Sequence, residues 1–115
     1  MSIYENDIEI VLSTSPKDAI QWVKENSPDC VVSDYKMPEM DGIEFTRRLR
    51  KTSQVPVILY TNQSKEELVA EAFEAGVNDY IKKENDALHY SLLLRRIKNA
   101  VDKHRLEMIA NQMAD

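Results

Sequence analysis

Cysteine occurs once, tryptophan once and glycine only twice in the 115 residues. A lone thiol, Cys30, cannot close an internal disulfide, and inside an apolar run it reads as a buried structural residue. Two glycines leave no room for a glycine-rich phosphate cradle. Apolar runs are only a few residues long, so no segment reads as a membrane span. No basic-then-apolar leader opens the chain, which argues against export. Cations are in deficit, 15 Lys and Arg against 20 Asp and Glu, for a net charge of −5. That balance argues against general nucleic-acid binding. A cytoplasmic protein, away from membrane and nucleic acid, is expected.

What is present is 43% hydrophobic and 30% charged, ordinary for a globular protein. The length suits one domain over residues 1–115 with a single core. There is no internal repeat, low-complexity tract or linker. Strand and helix signals alternate, which predicts a parallel α/β sheet. Asp7–Leu12 reads as a strand. Ser15-Pro16-Lys17-Asp18 then starts a helix, with serine as cap and proline in the first turn. Ala19, Ile20 and Val23 form its inner face, and Ser27-Pro28 stops it. Cys30–Ser33 is the next strand. Asp41-Gly42-Ile43-Glu44 caps a helix to about Lys51, with Ile43 and Leu49 inward. Pro56–Thr61 is a strand. Ser64-Lys65-Glu66-Glu67 opens a helix that buries Leu68, Ala72 and Ala75 and ends at Gly76. Tyr80-Ile81-Lys82 is a short strand. From Asp86 to about Ala110 runs one long helix, with Leu93, Ile97, Ala100, Val101 and Met108 near helical spacing. The expectation is about four strands and four helices.

The stretch Cys30-Val31-Val32-Ser33-Asp34, followed by Tyr35-Lys36-Met37-Pro38-Glu39-Met40-Asp41-Gly42, places a carboxylate at the mouth of a buried strand. With Thr61 at the end of a later strand and Lys83 beyond Ala75-Gly76-Val77-Asn78-Asp79-Tyr80, it resembles the receiver domain of two-component response regulators. The resemblance covers residues 7–105, with 106–113 extending the last helix. The wording around Asp34 and the tail from Tyr90 to Arg105 is similar to archaeal receivers. The family fold is flavodoxin-like (CheY-like), with strand order 2-1-3-4-5 and the site at the strand C-termini. The resemblance implies that Asp34 is the phospho-acceptor. It makes Thr61 the hydroxyl that swings to the phosphoryl group, Lys83 its cationic partner and Tyr80 the aromatic switch. Receivers take phosphoryl from a histidine kinase and signal by protein contact. They are not enzymes in their own right.

The chain departs from the family in three ways. The family's first strand and helix, with their acidic pair for Mg²⁺, have no counterpart ahead of Asp7, and Glu5 and Asp7 precede the wrong strand. Only Asp34 and the carbonyl of Lys36 remain as ligands. No cofactor is then required, and Mg²⁺ should bind weakly. Glu84 follows Lys83 where proline is usual, so no cis peptide is expected there. Asn62 follows Thr61 where a small residue is common, which narrows access.

Several readings follow. One is an N-terminally truncated, stand-alone receiver that acts by protein–protein contact, with phosphorylation weakened or lost. A second is a working phospho-acceptor at Asp34. A third, a flavin- or nucleotide-binding enzyme, finds no glycine-rich cradle at Thr14-Ser15-Pro16, Tyr35–Asp41 or Asn62–Lys65. In a fourth, Met1 is not the native start, and upstream sequence supplies the acidic pair. His89 and His104 read as surface residues and Trp22 as packing. Arg95, Arg96, Lys98, Lys103 and Arg105 read as a solvated helix face.

The missing elements have a consequence for the fold. Right-handed crossovers put the three linking helices on one face of the sheet. Only the helix from Asp86 is left for the other face, which should expose an apolar patch. The gap left by the family's first strand should leave an open edge or make two strands re-pair. A homodimer is expected, covering the bare face with Leu93, Ile97, Val101, Met108, Ile109 and Met113.

Overall fold

The structure, a computed structural model, describes residues 2–5, 7–13, 15–63 and 65–113, the side chains of 2–5 and 13 excepted. Its strands are β1 (Ser2–Glu5), β2 (Ile8–Ser13), β3 (Cys30–Ser33), β4 (Val57–Thr61) and β5 (Asp79–Lys82). Its helices are α1 (Pro16–Asn26), α2 (Gly42–Leu49), α3 (Glu66–Ala75) and α4 (Ala87–Met113). The strands form one five-stranded sheet in the order β1-β2-β3-β4-β5. Strands β2 to β5 pair in parallel, and β1 joins the outer edge of β2 antiparallel.

The four expected strands are therefore the parallel part. Strand β1 was not expected. A tight turn joins Glu5 to Ile8, with Asp7 at φ 62, and it lays Ser2 beside Val11. Strands β2 and β3 pair directly, Ile10 with Cys30 and Val11 with Val31. This is the re-pairing that the sequence allowed for, and it closes the slot that the family order 2-1-3-4-5 gives to another strand.

Side chains alternate across the strands, so each face has its own core. On one face Val11, Val31, Val57 and Leu59 pack under α1, α2 and α3, against Ala19, Val23, Ile43, Leu49 and Ala72. Phe45, also on α2, is fully buried there. Three linking helices on one face is what right-handed crossovers between neighbouring strands require. On the other face Ile8, Ile10, Cys30, Val32, Ile58 and Ile81 lie under α4, against Leu93, Ile97 and Val101.

Most helix ends follow their local chemistry. Ser15 precedes Pro16 and its hydroxyl meets Asp18 Oδ2 at 3.1 Å. Asp41 Oδ1 accepts from the Glu44 amide at 2.8 Å, and Asp86 Oδ1 from the His89 amide at 2.8 Å. Ser27 (φ 48) and Gly76 (φ 109) end α1 and α3 in the left-handed region. Ser64 lies outside the described residues; Lys65 occupies the cap position of α3, without a side-chain cap bond.

Three expectations need correction. Leu93, Ile97 and Val101 are 8%, 3% and 2% exposed, buried against their own sheet, and are not free to form a dimer surface. Helix α4 covers its face well, since Leu12 at 37% is the one large strand hydrophobic left exposed there among the described side chains. Neither histidine is a plain surface residue: His89 is buried and His104 half-buried. Two of the helix cations are paired with acids outside the helix, although Arg105 stays exposed. Arg96 forks onto both oxygens of Asp79 at 2.6 and 2.7 Å, and Arg105 reaches Asp29 at 3.0 Å. Met108, Ile109 and Met113 do remain exposed. Trp22 packs against the three-helix core.

Candidate functional site

Asp34 follows the last residue of β3, where the buried run Cys30–Ser33 opens at the C-terminal edge of the sheet. Four fully buried positions fix the strand, so the carboxylate that follows is held at the rim. Its Oδ1 accepts from the Tyr35 amide at 2.6 Å, and its Oδ2 from Lys83 Nζ at 2.7 Å. Both side chains of the Lys83–Asp34 pair are 36% exposed, open enough for an incoming group.

The loop after Asp34 is tied down on both sides. Ser33 Oγ donates to the Asp34 carbonyl at 2.9 Å, and the Gly42 amide donates to the Tyr35 carbonyl at 2.7 Å. Gly42 is needed because α2 starts against this loop. A Cβ there would lie 2.6 Å from Leu59 Cδ2 and would collide with the Asp34 carbonyl oxygen.

Thr61 ends β4 and is 2% exposed. Its hydroxyl accepts a long bond, 3.4 Å, from the Gln63 amide. Its carbonyl accepts from the Lys83 amide at 2.9 Å, which holds Lys83 beside the neighbouring strand end. Tyr80, on β5, is half-buried, and its hydroxyl donates to the Gln63 carbonyl at 2.6 Å. The ring is thus fastened to the loop that follows Thr61. The structure therefore gathers Asp34, Thr61, Lys83 and Tyr80 at one end of the sheet. Lys36, whose carbonyl was the second expected ligand, is exposed on the loop after Asp34.

The electrostatics suit a carboxylate kept ionised. Burial pushes the Asp34 carboxyl up. The hydrogen bond from Lys83, the Thr61 hydroxyl, the Lys83 charge and the Tyr35 amide outweigh it, and together hold the group below its ordinary range. The Tyr80 phenol is pushed up by burial and then by the nearby Tyr35 and Asp34.

A divalent cation does not fit these donors well. Hard cations take six or more oxygens, of which carboxylates carry the affinity. Here both oxygens of the Asp34 carboxylate are already engaged, by the Tyr35 amide and by Lys83. Among the described residues no group of three or more His, Cys, Asp or Glu could hold a metal.

Sequence reasoning missed a second layer beneath the lysine. Lys83 Nζ lies 5.6 Å from the centre of the Tyr60 ring, within cation–π range. Tyr60 stacks in turn on His89, with centroids 5.5 Å apart and planes at 18°. The signal was available, because Tyr60 is a large aromatic one residue before Thr61. The stack explains why His89 is buried.

Comparison with known proteins agrees with this geometry. Residues 2–97 match the family model described as the response regulator receiver domain. The transcriptional regulatory protein SrrA of Staphylococcus aureus is 33% identical over 103 residues, 86% of this chain and 43% of SrrA. The chain thus spans less than half the length of this curated relative. A DNA-binding response regulator of the LuxR family from Staphylococcus aureus superposes with TM-score 0.67 at 26% identity, covering 76% of this chain and 71% of that one. The response regulator domain of Thermotoga maritima CheB gives TM-score 0.68 at 21% identity, covering 81% and 94%, a likeness of fold. Its four-stranded parallel sheet, its helices and its family match make this chain a member of the response regulator receiver domain family.

Proposed function

We propose that this receiver works in two-component signalling chiefly by protein–protein contact, as a homodimer. Asp34 is its phospho-acceptor position, and transfer from a kinase phosphohistidine is slow and little helped by Mg²⁺. The observation that carries this reading is the closed Asp34–Lys83 pair at 2.7 Å, with no group of three or more His, Cys, Asp or Glu able to hold a metal among the described residues. Phosphoryl transfer depends on positioning and charge neutralisation. Lys83 supplies one positive charge and Thr61 one hydroxyl, and a strongly held metal is not available to add to them.

In the transfer step, an Asp34 oxygen forms a bond to phosphorus while the bond from phosphorus to the kinase imidazole breaks. The electron pair leaves with the imidazole nitrogen. The acyl phosphate carries a charge of about −1.5 to −2. Lys83 then exchanges its carboxylate contact for a phosphoryl oxygen, and Thr61 moves toward it. Tyr80, tied to the same loop through Gln63, follows. The changed surface is read by a partner protein. We place the chain in the cytoplasm, where a kinase can reach it; no described helix is long and apolar enough to cross a membrane. No catalytic turnover of its own and no nucleic-acid contact belong to this reading.

Titration with Mg²⁺ by calorimetry tests the weak metal site. Saturation only in the millimolar range or above is expected of one carboxylate with carbonyl and water ligands. Micromolar affinity, abolished by Asp34→Asn, would refute it. A second reading, a fully working phospho-acceptor, is favoured by the assembled Asp34, Thr61 and Lys83.

A further inference from the structure

The outward face of α4 carries one weak ion pair of its own, Lys98 with Asp102 at 3.9 Å. Burial of Leu93, Ile97 and Val101 seats the helix on the sheet, and two ion pairs, Arg96 with Asp79 and Arg105 with Asp29, lie along its flanks. The side chains then left in solvent include Leu88, Leu92, Leu106, Ile109 and Met113, exposed by 82, 42, 66, 53 and 81%. These are not scattered. With Arg95, Asn99 and Asp102 they recur at alternating steps of four and three residues along the 27-residue helix. That is the spacing of the core positions of a coiled coil. A surface helix normally turns polar residues to water, and an apolar stripe on that side marks an interaction surface.

We propose that this stripe is the homodimer contact, and that a second copy of the chain packs along it antiparallel, with a two-fold axis near Ala100 and Val101. The inference rests on the homodimer reading above and names its surface. The charges choose the direction. In a parallel pair Arg95 would meet Arg95 and Asp102 would meet Asp102, like charges across a seam. In the antiparallel register Leu88 meets Met113 of the second copy and Leu92 meets Ile109. Asn99 meets Asp102, whose carboxylate accepts from the Asn99 amide. Arg95 lies beside Leu106 and one turn from Asp102 of the second copy. Apolar layers then close both ends, and polar layers in the middle set the register. Arg96 and Arg105 flank the seam but are already neutralised by Asp79 and Asp29. The same surface is used on both copies, so the assembly closes as a dimer.

Sedimentation velocity on the full chain over a wide concentration range is the first arm. The wild type should dimerise, and the double variant Leu106→Glu, Ile109→Glu should weaken the dimer by about tenfold or more. Both positions are exposed in the protomer, so circular dichroism should show the fold intact. The second arm mixes Asn99→Cys chains with Asp102→Cys chains under oxidation, and the mixed disulfide should dominate. A wild type that stays monomeric overturns this surface and the homodimer reading together, and binding of that monomer to anionic vesicles would give the stripe to lipid instead. A dimer that survives the glutamates overturns the surface alone. Predominance of the Asn99→Cys self-disulfide overturns the antiparallel direction.

Discussion

Substituting Gly42 by alanine tests how closely α2 must approach the acceptor loop. Two effects oppose each other. Alanine favours helix over glycine by up to about 1 kcal/mol, less in a first turn. Against that, the new Cβ would sit 2.6 Å from Leu59 Cδ2 and closer still to the Asp34 carbonyl oxygen. Leu59 is fully buried, and the Asp34 carbonyl is backbone, held by Ser33 Oγ at 2.9 Å. Neither can step aside without moving the core or the loop, and overpacking of this kind costs about 1–3 kcal/mol. Steric cost wins, leaving a net loss of about 1–2 kcal/mol. In urea, where small proteins lose about 1–3 kcal/mol per molar, the midpoint should fall by roughly 0.5–1 M at unchanged slope. A midpoint equal to or above that of the wild type would show that α2 can slide away from Asp34, and the account of the loop would fail.

Other outcomes follow from the same contacts. Burial, then the charge of Asp29, pushes the Cys30 thiol up to about 12, so iodoacetamide should label it only after unfolding; rapid labelling of native protein would contradict its burial. Lys83→Met removes the largest of the contacts that hold the Asp34 carboxyl below its ordinary range. A depressed carboxyl contributes stability above its unfolded value of about 4, and loses it as pH falls through the folded value. The stability gap between wild type and Lys83→Met should therefore be full near neutral pH and shrink below about pH 4, never exceeding about 1 kcal/mol for so exposed a pair; a gap that does not vary with pH would exclude this origin. His89 Nε2 is buried with no hydrogen-bond partner among the described residues. His89→Phe keeps the stack on Tyr60 and should raise the thermal midpoint, by about 1 kcal/mol of stability; a clear loss would show that the nitrogen is bonded.

The parallel core was legible because its signals are local. Ser15-Pro16, Asp41-Gly42 and Gly76 mark helix ends by side-chain or backbone chemistry, and the runs Cys30–Ser33 and Val57–Thr61 are apolar enough to be buried on both faces. Asp34, Thr61 and Lys83 were found through the resemblance to receivers, whose site positions at or just after strand ends they match. Strand β1 was missed because four residues carry little pattern; the clue was Asp7, a residue type that tolerates the positive φ found between the two paired strands. The pairing of β2 with β3 was foreseen only as one of two outcomes, since pairing is a contest between edges that no single segment records. His89 was misread because an i, i+4 step to Leu93 can mark an inner face as readily as a polar residue marks an outer one. Leu93, Ile97 and Val101 were misassigned to the dimer surface for a related reason. Helical spacing shows that α4 has apolar positions on two sides, but which side meets the sheet depends on the fit of Leu93, Ile97 and Val101 against strand residues as distant as Ile8 and Ile10.

The central claim is that Asp34 accepts phosphoryl with little help from metal. Intact mass after incubation with a small phosphodonor, with and without Mg²⁺, tests it on the wild type and on Asp34→Ala. A slow, sparse adduct on the wild type, nearly the same with and without Mg²⁺ and absent from the variant, is the expected result. A rapid, stoichiometric adduct that requires Mg²⁺ and is lost in Asp34→Ala would contradict it, and would mean that the site holds metal better than its donors allow.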